Sequence, residues 1–440
     1  MTAAYPIRAI GADEFPAFHA VMEHAFNSSH QTDAEMQHEL ATFEFDRSLA
    51  AFDGADMVGT AGAFTFQMGV PGGIAPVAGV TAVAVLPSHR RRGILSSLMR
   101  RQLADVRERG ETIAALFASE ATIYGRYGYG VASAELDFSI RRGEGTMSGR
   151  PAAPDPPGPG SVALDQAETT PPQRRLADQA PRLRSPVPRD AAAELAKVYD
   201  CVQRSRPGLP ARDDRWWDYT LWDPEHRRSG SGPMRCVIAE DDAGPRGYAL
   251  FSVKPEWGEH GIPGSVLRVQ ELMATDPAAH AAVWSDLLTR DLVAEVRARM
   301  RPADDPLLYL LADSRRARAH LLDGLWVRLV SVPGALTRRR YACAVDVVIG
   351  VADELFPENA GRWRLQAAGG ATGLTATCER TSAPADVALP VRALGAAYLG
   401  GTRLGALAAA GLVTETRPGA LAALSAALSW DPAPWCPAGF

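Results

Sequence analysis

The residues best suited to chemistry are His89-Arg90-Arg91-Arg92-Gly93. Before them, Val80 to Leu86 is apolar and β-branched and stops at Pro87-Ser88, which reads as a buried strand. After them, Leu95, Leu98, Met99, Leu103 and Val106 recur at helical spacing, with the arginines mostly on the other face, until Gly110. A strand, a glycine-bearing turn and a helix together suit a pyrophosphate. The first turn of a helix offers unpaired N–H donors and partial positive charge. Gly93 permits close backbone approach, and guanidinium groups add charge-assisted bonds. A basic run also suits a solvated surface or a nucleic-acid patch; its place between strand and helix favours the phosphate cradle.

The next apolar run, Ile113 to Phe117, reads as a second buried strand, and Ser119 follows it. Tyr124-Gly125-Arg126-Tyr127-Gly128-Tyr129-Gly130, on residues alone, reads as an aromatic turn packing a helix onto a sheet. Trp216-Trp217-Asp218-Tyr219-Thr220-Leu221-Trp222 has aromatics at helical spacing and reads as core or interface.

The elements that must hold the cradle come before it. Ile7 to Ile10 is a strand, Asp13 caps a helix to Phe26, and Asn27-Ser28-Ser29-His30 breaks it. A helix from Asp33 to Phe43 follows. Arg47–Phe52, Met57–Phe66 and Val70–Ile74 with Val77 read as three antiparallel strands. Gly143 to about Pro181 is too rich in Pro, Gly and Ser to build a core.

The architecture then repeats. The expected order is a strand at Leu183-Arg184, a helix from Ala193 to Val202, strands at Cys236–Ile238, Tyr248–Val253 and Val266–Met273, a helix from Ala278 to Met300, and a closing segment at Leu307–Leu311. The chemistry does not repeat, because Asp276-Pro277-Ala278-Ala279-His280 has neither the arginines nor the glycine. From Trp326 onward strands precede helices, the pattern of an α+β domain. The tail Ser429 to Phe440, with its prolines and tryptophans, should be extended and pack across another domain.

Composition sets limits. A chain of 440 residues, 46% hydrophobic, should hold two to four domains. Its net charge of −5 argues against nucleic acid as a partner. No apolar run approaches the ~20 residues of a membrane span, and the N-terminus lacks the pattern of a signal peptide. The five cysteines are dispersed, which fits a reducing cytoplasm and no bound metal.

Val83-Ala84-Val85 followed by Arg90-x-x-Gly93 resembles the acetyl-CoA motif of GNAT N-acetyltransferases, although Leu95 stands where most of that superfamily has a second Gly or Ala. The longer signature, His89–Leu95 with Ala118–Gly130 and the chain end at Phe440, resembles the Eis-like acetyltransferases of actinobacteria. The resemblance covers nearly the whole chain. It implies an α/β and α+β fold of two tandem GNAT-like domains, the second degenerate, followed by a sterol-carrier-protein-like α+β domain. The divisions are then a catalytic domain over 1–145, a linker over 146–180, the degenerate domain over 181–330, and the sterol-carrier-like domain over 331–440 with a catalytic tail.

The resemblance also implies an activity, N-acetylation of a small-molecule amine (an aminoglycoside, an arylalkylamine, or a peptide or lysine amine) by acetyl-CoA, in a homo-oligomer, hexameric in that family. The implied cofactor contacts are Val83, Ala84, Val85, Arg90, Arg91, Arg92, Gly93, Ile94, Leu95 and Ser119; Phe26, Ser28 and Glu120 are the implied substrate contacts. Acyl transfer from a thioester needs a proton for the leaving sulfur and a base for the amine. The resemblance assigns the first to Tyr124 and the second to the terminal carboxylate of Phe440, with Glu120 as the local alternative base. A second class of reading is a binding protein, catalytically inactive, that carries a lipid or another small ligand in the sterol-carrier-like domain.

Overall fold

The computed structural model describes residues 5–148, 181–369, 374–437 and 439–440; the proline-rich linker falls almost wholly outside them. The strands are β1 (Ile7–Ala9), β2 (Leu49–Asp53), β3 (Asp56–Val70), β4 (Gly73–Val85), β5 (Ile113–Phe117), β6 (Gly130–Val131), β7 (Ala134–Arg141), β8 (Arg182–Arg184), β9 (Arg235–Asp241), β10 (Gly244–Lys254), β11 (Ser265–Ala274), β12 (Val293–Pro302), β13 (His320–Asp323), β14 (Leu325–Leu329), β15 (Val345–Ala352), β16 (Gly361–Ala368), β17 (Thr375–Arg380), β18 (Val387–Pro390) and β19 (Thr414–Glu415). The helices are α1 (Phe15–Phe26), α2 (Asp33–Leu40), α3 (Ile94–Glu108), α4 (Ala121–Tyr124), α5 (Ala192–Ser205), α6 (Asp214–Thr220), α7 (Pro277–Thr289), α8 (Leu307–Leu310), α9 (Val332–Arg338), α10 (Val391–Tyr398), α11 (Leu404–Ala409) and α12 (Ala420–Leu428). Among the described residues, no helix is long and apolar enough to cross a membrane.

Residues up to Ala134, Gln203–Tyr219 and Asp323–Phe440 form one compact unit; Glu135–Val202 and Thr220–Leu322 form a second. The first sheet has the order β1-β2-β3-β4-β5-β14-β6, the second β13-β7-β12-β11-β10-β9-β8, and the third β17-β16-β15-β18-β19. Two strands leave the sheet of their sequence neighbours. β7 pairs with β12 in the second sheet, and β14 inserts between β5 and β6 in the first. All five residues of β14 are buried, as a strand covered on both faces must be.

Two expectations need correction. The helix expected from Ala278 to Met300 ends at Thr289, and Val293–Pro302 is a strand. Leu292, at φ +62, turns the chain between them. β12 then pairs with β11 on one edge and β7 on the other, so its backbone groups are satisfied without a helix. The closing segment near Leu307 is the short helix α8. The strand expected from Val70 to Ile74 is instead the turn of a long β3–β4 hairpin, with Val77 and Val80 on one strand. Gly72 makes that turn at φ +70, and a Cβ there would lie 2.3 Å from Arg340.

α3 lays Leu98, Met99, Leu103 and Val106 on the first sheet. In the third domain a guanidinium occupies the core. Arg339 is 1% exposed. It donates to the carbonyls of Tyr398 at the end of α10 and Leu428 at the end of α12, the latter at 2.7 Å. Helix C-termini carry unpaired carbonyls and partial negative charge, which suits a cation. The tail leaves from this point at Ser429. Arg339→Met orphans those carbonyls, at about 1–3 kcal/mol each, so we expect a lower urea midpoint for the first unit, followed by tryptophan fluorescence. An unchanged midpoint would contradict this role.

Candidate active site

The site begins where two strands part. Among the described residues, β4 and β5 pair in parallel only at Ala78↔Ala114 and Gly79↔Ala115. β4 continues to Val85, so from Val80 its edge toward β5 has no strand partner. Its other edge slips against β3 between Thr60 and Gly62. Ala82 sits there at φ +52, and Thr60 Oγ1 donates to its carbonyl at 2.8 Å. Such a bulge redirects the strand and leaves backbone groups for a ligand. Val83, Ala84 and Val85 lie on this stretch.

The cradle follows. Arg91 (φ +63) and Gly93 (φ +85) turn the chain into α3, whose first turn has no side-chain cap. Ile94 and Leu95 open that helix. Arg90 and Arg91 are exposed, and Arg90 Nη2 donates to the Ala25 carbonyl at 3.4 Å. Arg92 is turned toward Tyr5, whose hydroxyl it meets at 3.1 Å. In the second unit the equivalent helix start is already satisfied. The Asp276 carboxylate accepts from the N–H groups of Ala278 and Ala279, both at 3.0 Å. Beyond Val269↔Ala298, the last pair of β11 with β12, Arg301 spans the gap. It donates to the Leu272 carbonyl at 3.0 Å and to Asp305 at 2.9 Å. The second copy of the plan is therefore closed from within: a carboxylate caps its helix start and a guanidinium bridges its strand gap.

Beyond β5, Ser119 and Glu120 are exposed and α4 delivers Tyr124, which is 5% exposed. Burial pushes the Tyr124 phenol above its ordinary value, a hydrogen bond with Ser119 pulls it back, and Glu120 adds a small upward push. Tyr127 shares a 3.0 Å hydrogen bond with Ser96 in the first turn of α3, which ties this loop to the cradle. Gly128 (φ +84) turns the loop so that Tyr129 packs edge-on to Tyr124 at 6.2 Å. A Cβ on Gly128 would lie 2.2 Å from Arg328 Nη1.

Arg328 comes from β14 and is fully buried, with Nη2 2.6 and 2.9 Å from the Asp353 carboxylate. Asp353 also accepts from Asn359 Nδ2 at 3.0 Å and from the N–H groups of Leu355 and Phe356. The tyrosine loop thus rests on an ion pair completed by the third domain.

The tail arrives from the other direction. Arg206 Nη1 donates to the Ala433 carbonyl at 2.7 Å, and the Trp435 N–H donates to the Pro207 carbonyl at 2.8 Å. The Pro207–Leu209 segment is itself bonded to Gly69 at the end of β3. A Cβ on Gly208 would lie 2.6 Å from the Trp435 carbonyl oxygen, so the tail passes directly over it. The Phe440 ring then sits 4.9 Å from Phe66 and 5.5 Å from Phe117. One of its carbons is 3.1 Å from where a Cβ of Gly79 would be, so the chain ends at the fork between β4 and β5.

Phe26 and Ser28 stand exposed at the end of α1. The tryptophan segment reads from sequence as core or interface, but its meeting with Phe64, Phe66 and Phe440 does not show there. Phe64 and Phe66 share one face of β3, and Trp216 packs on both at 5.0 and 5.4 Å. The available signals were the i, i+2 phenylalanines and the i, i+3 pair Trp216 and Tyr219.

A bulged β4 forking from β5, an uncapped helix after it, and a second copy of this plan define a GNAT acyltransferase. The comparisons agree with this class. Residues 6–132 and 208–329 each match a family model described as an acetyltransferase (GNAT) domain, and residues 332–437 match the sterol carrier protein domain. An uncharacterized N-acetyltransferase of Streptomyces avermitilis is 43% identical over 99% of both chains. The N-acetyltransferase Eis of Mycobacterium bovis is 31% identical over 86% of this chain and 84% of its own. The crystal structure of Eis1 from Mycobacterium abscessus matches with a TM-score of 0.76, 31% identity, and coverage of 99% of this chain and 100% of that one. The chain belongs to the Eis-like family of GNAT N-acetyltransferases.

The Arg328–Asp353 pair yields a test. Arg328→Met leaves a buried carboxylate without its partner, which costs about 3–5 kcal/mol. The double variant with Asp353→Asn should be the more stable of the two in urea. A single variant as stable as the parent would contradict this account.

Proposed function

We propose that the chain transfers an acetyl group from acetyl-CoA directly to the primary amine of a small molecule, with both substrates bound together. The observation that carries this reading is the convergence of two groups at the end of β5. The buried Tyr124 reaches it from α4, and the terminus at Phe440 reaches it along the tail. Acetyl-CoA supplies an activated acyl carbon and a thiolate leaving group. Its pyrophosphate suits the uncapped start of α3 at Gly93–Leu95, with Arg90 and Arg91 exposed beside it. Its pantetheine arm suits the unpartnered edge of Val83–Val85, and Ser119 lies at the far end.

The roles follow from charge and protonation. The amine lone pair forms the new N–C bond as the C–S bond breaks with its electrons going to sulfur. The sulfur takes the Tyr124 proton. A phenol above its ordinary value of ~10 stays protonated through neutral pH, so it is competent to donate. A terminal carboxylate has an ordinary pKa of ~3.3–3.7, far below an alkylammonium. The Phe440 carboxylate therefore orients the free-base fraction of the amine. It takes the proton as bond formation makes that nitrogen acidic. In these roles neither group bonds to the acyl carbon, so the acetyl passes directly from sulfur to nitrogen. Phe26, Ser28 and Glu120 remain the proposed approaches for the amine, and a homohexamer is the proposed assembly.

Initial-velocity plots against both substrates should intersect; parallel lines would point to an acetyl-enzyme instead. Tyr124→Phe should lower kcat about 100-fold while the Kd for acetyl-CoA in calorimetry stays put. The fall of kcat at high pH should lie above ~10 in the parent and vanish in the variant. Full activity in the variant would remove Tyr124 from this role.

A further inference from the structure

We infer that the chain carries a second ligand site, between the tyrosine loop and the start of α10, that binds a monocarboxylate with an apolar body. It is separate from the β4–β5 fork, and the acetyl-transfer reading does not depend on it.

The first ground is space. A cavity of about 830 Å³ lies between the loop at 121–131, the end of β15 with the turn after it, and the starts of α10 and α11. Packed interiors leave few voids larger than a water molecule, and a volume of this order is that of a small-molecule site. Its wall is mostly apolar and includes Trp326, Leu355, Val391, Leu407 and Leu412. Leu355, Leu407 and Leu412 are only half-buried, so an apolar guest takes their surface out of water.

The second ground is charge. Two exposed arginines line the cavity, Arg126 on the loop and Arg392 in the first turn of α10. Arg126 gives its Nε to the Ile123 carbonyl at 3.1 Å, which leaves its two Nη groups. The Arg392 guanidinium has no hydrogen bond or ion pair among the described residues. Its Nη1 is 3.8 Å from where a Cβ of Gly125 would be, so it comes close to the loop beside Arg126. No side chain caps α10, and its first residues, Val391, Arg392 and Ala393, are on the wall. Their unpaired N–H groups add partial positive charge.

A buried cation stands behind this wall. Arg328 is fully buried and uses only Nη2, on Asp353; its Nε and Nη1 make no hydrogen bond. Nη1 lies against Gly128, where a Cβ would be 2.2 Å from it and 2.9 Å from Val391. Gly128 and Val391 both line the cavity. Buried donors left unmatched raise the potential beside them, which favours a negative guest. Among the described residues the acids of the wall are Asp353, spent on Arg328 and Asn359, and the exposed Glu354. Two guanidiniums against Glu354 leave one positive charge. A single carboxylate matches it, since guanidinium and carboxylate meet in a two-bonded fork. No described residue of β4 lines the cavity, so guest and acetyl-CoA can be held together. A carboxylate on Arg126 and Arg392 ties α10 to the loop two residues after Tyr124.

The test is calorimetry on the full chain, comparing octanoate with octanol and phenylacetate with phenylethanol, each with and without saturating acetyl-CoA. At least one acid should bind about tenfold or more tightly than its alcohol, the worth of a charge-assisted hydrogen bond. Saturating acetyl-CoA should leave that Kd unchanged. Octanoate as the tighter acid makes the guest alkyl, and phenylacetate makes it aryl; either supports the site. Arg392→Gln should weaken the acid about tenfold and leave the alcohol alone. Ala352→Trp, which fills the cavity from an exposed wall position, should remove both. Alcohols binding as tightly as acids, no binding of either, or binding lost to acetyl-CoA overturns the site. So does acid affinity unchanged in both variants, in protein that melts cooperatively. Each of these results leaves the acetyltransferase reading standing.

Discussion

Everything at the site depends on the parting of two parallel strands. β4 and β5 hold together at Gly79↔Ala115 and no further, and that one boundary creates three consequences. It leaves a strand edge whose backbone groups need a partner. It opens a gap into which an aromatic ring can be driven, and the Phe440 ring is there. It also frees the end of β5 to lead into α4 and present Tyr124. In the second unit the same parting exists and is closed by Arg301, Asp305 and Asp276. One plan thus gives an open site once and a filled one once. The difference lies in a few side chains and not in the fold.

The third domain is part of this site although its own sheet is remote in sequence. Asp353 holds Arg328, and Arg328 sets the turn at Gly128 that brings Tyr129 onto Tyr124. Arg339 gathers the ends of α10 and α12, from which the tail departs. Two buried guanidiniums therefore connect a sterol-carrier-type fold to GNAT chemistry. One is paired with a carboxylate and one with carbonyls. Buried charges are costly unless paired, and Arg328 is paired through Nη2 alone, its Nε and Nη1 making no hydrogen bond.

Much of this was legible in the residues. The cradle at Arg90–Gly93 showed because strand, glycine and helix signals are local. The degenerate repeat showed because Asp276-Pro277-Ala278-Ala279-His280 lacks the arginines and the glycine of the cradle. The tail showed by its prolines and its apolar end. The rest was not local. Val293–Pro302 alternates like a strand but adjoins a real helix, and only the two flanking ladders decide its state. The exchange of β7 and β14 between sheets depends on pairings such as Glu295↔Arg141 and Leu325↔Phe117, whose partners lie too far apart in the chain for any window of sequence to contain. Arg328 inside the apolar run Leu325–Val330 was a visible anomaly whose partner, Asp353, lay in another domain. The aromatic cluster around Phe440 joins positions from β3, β5, α6 and the last residue, so composition could name its members and not their meeting.

We propose that the chain terminus itself acts at the fork. The most direct measurement is kcat for a chain extended by one glycine after Phe440, with acetyl-CoA affinity measured alongside by calorimetry. We expect kcat to fall about 100-fold, the lower range for a lost acid–base group, while acetyl-CoA binds as before. Turnover equal to that of the parent would contradict it.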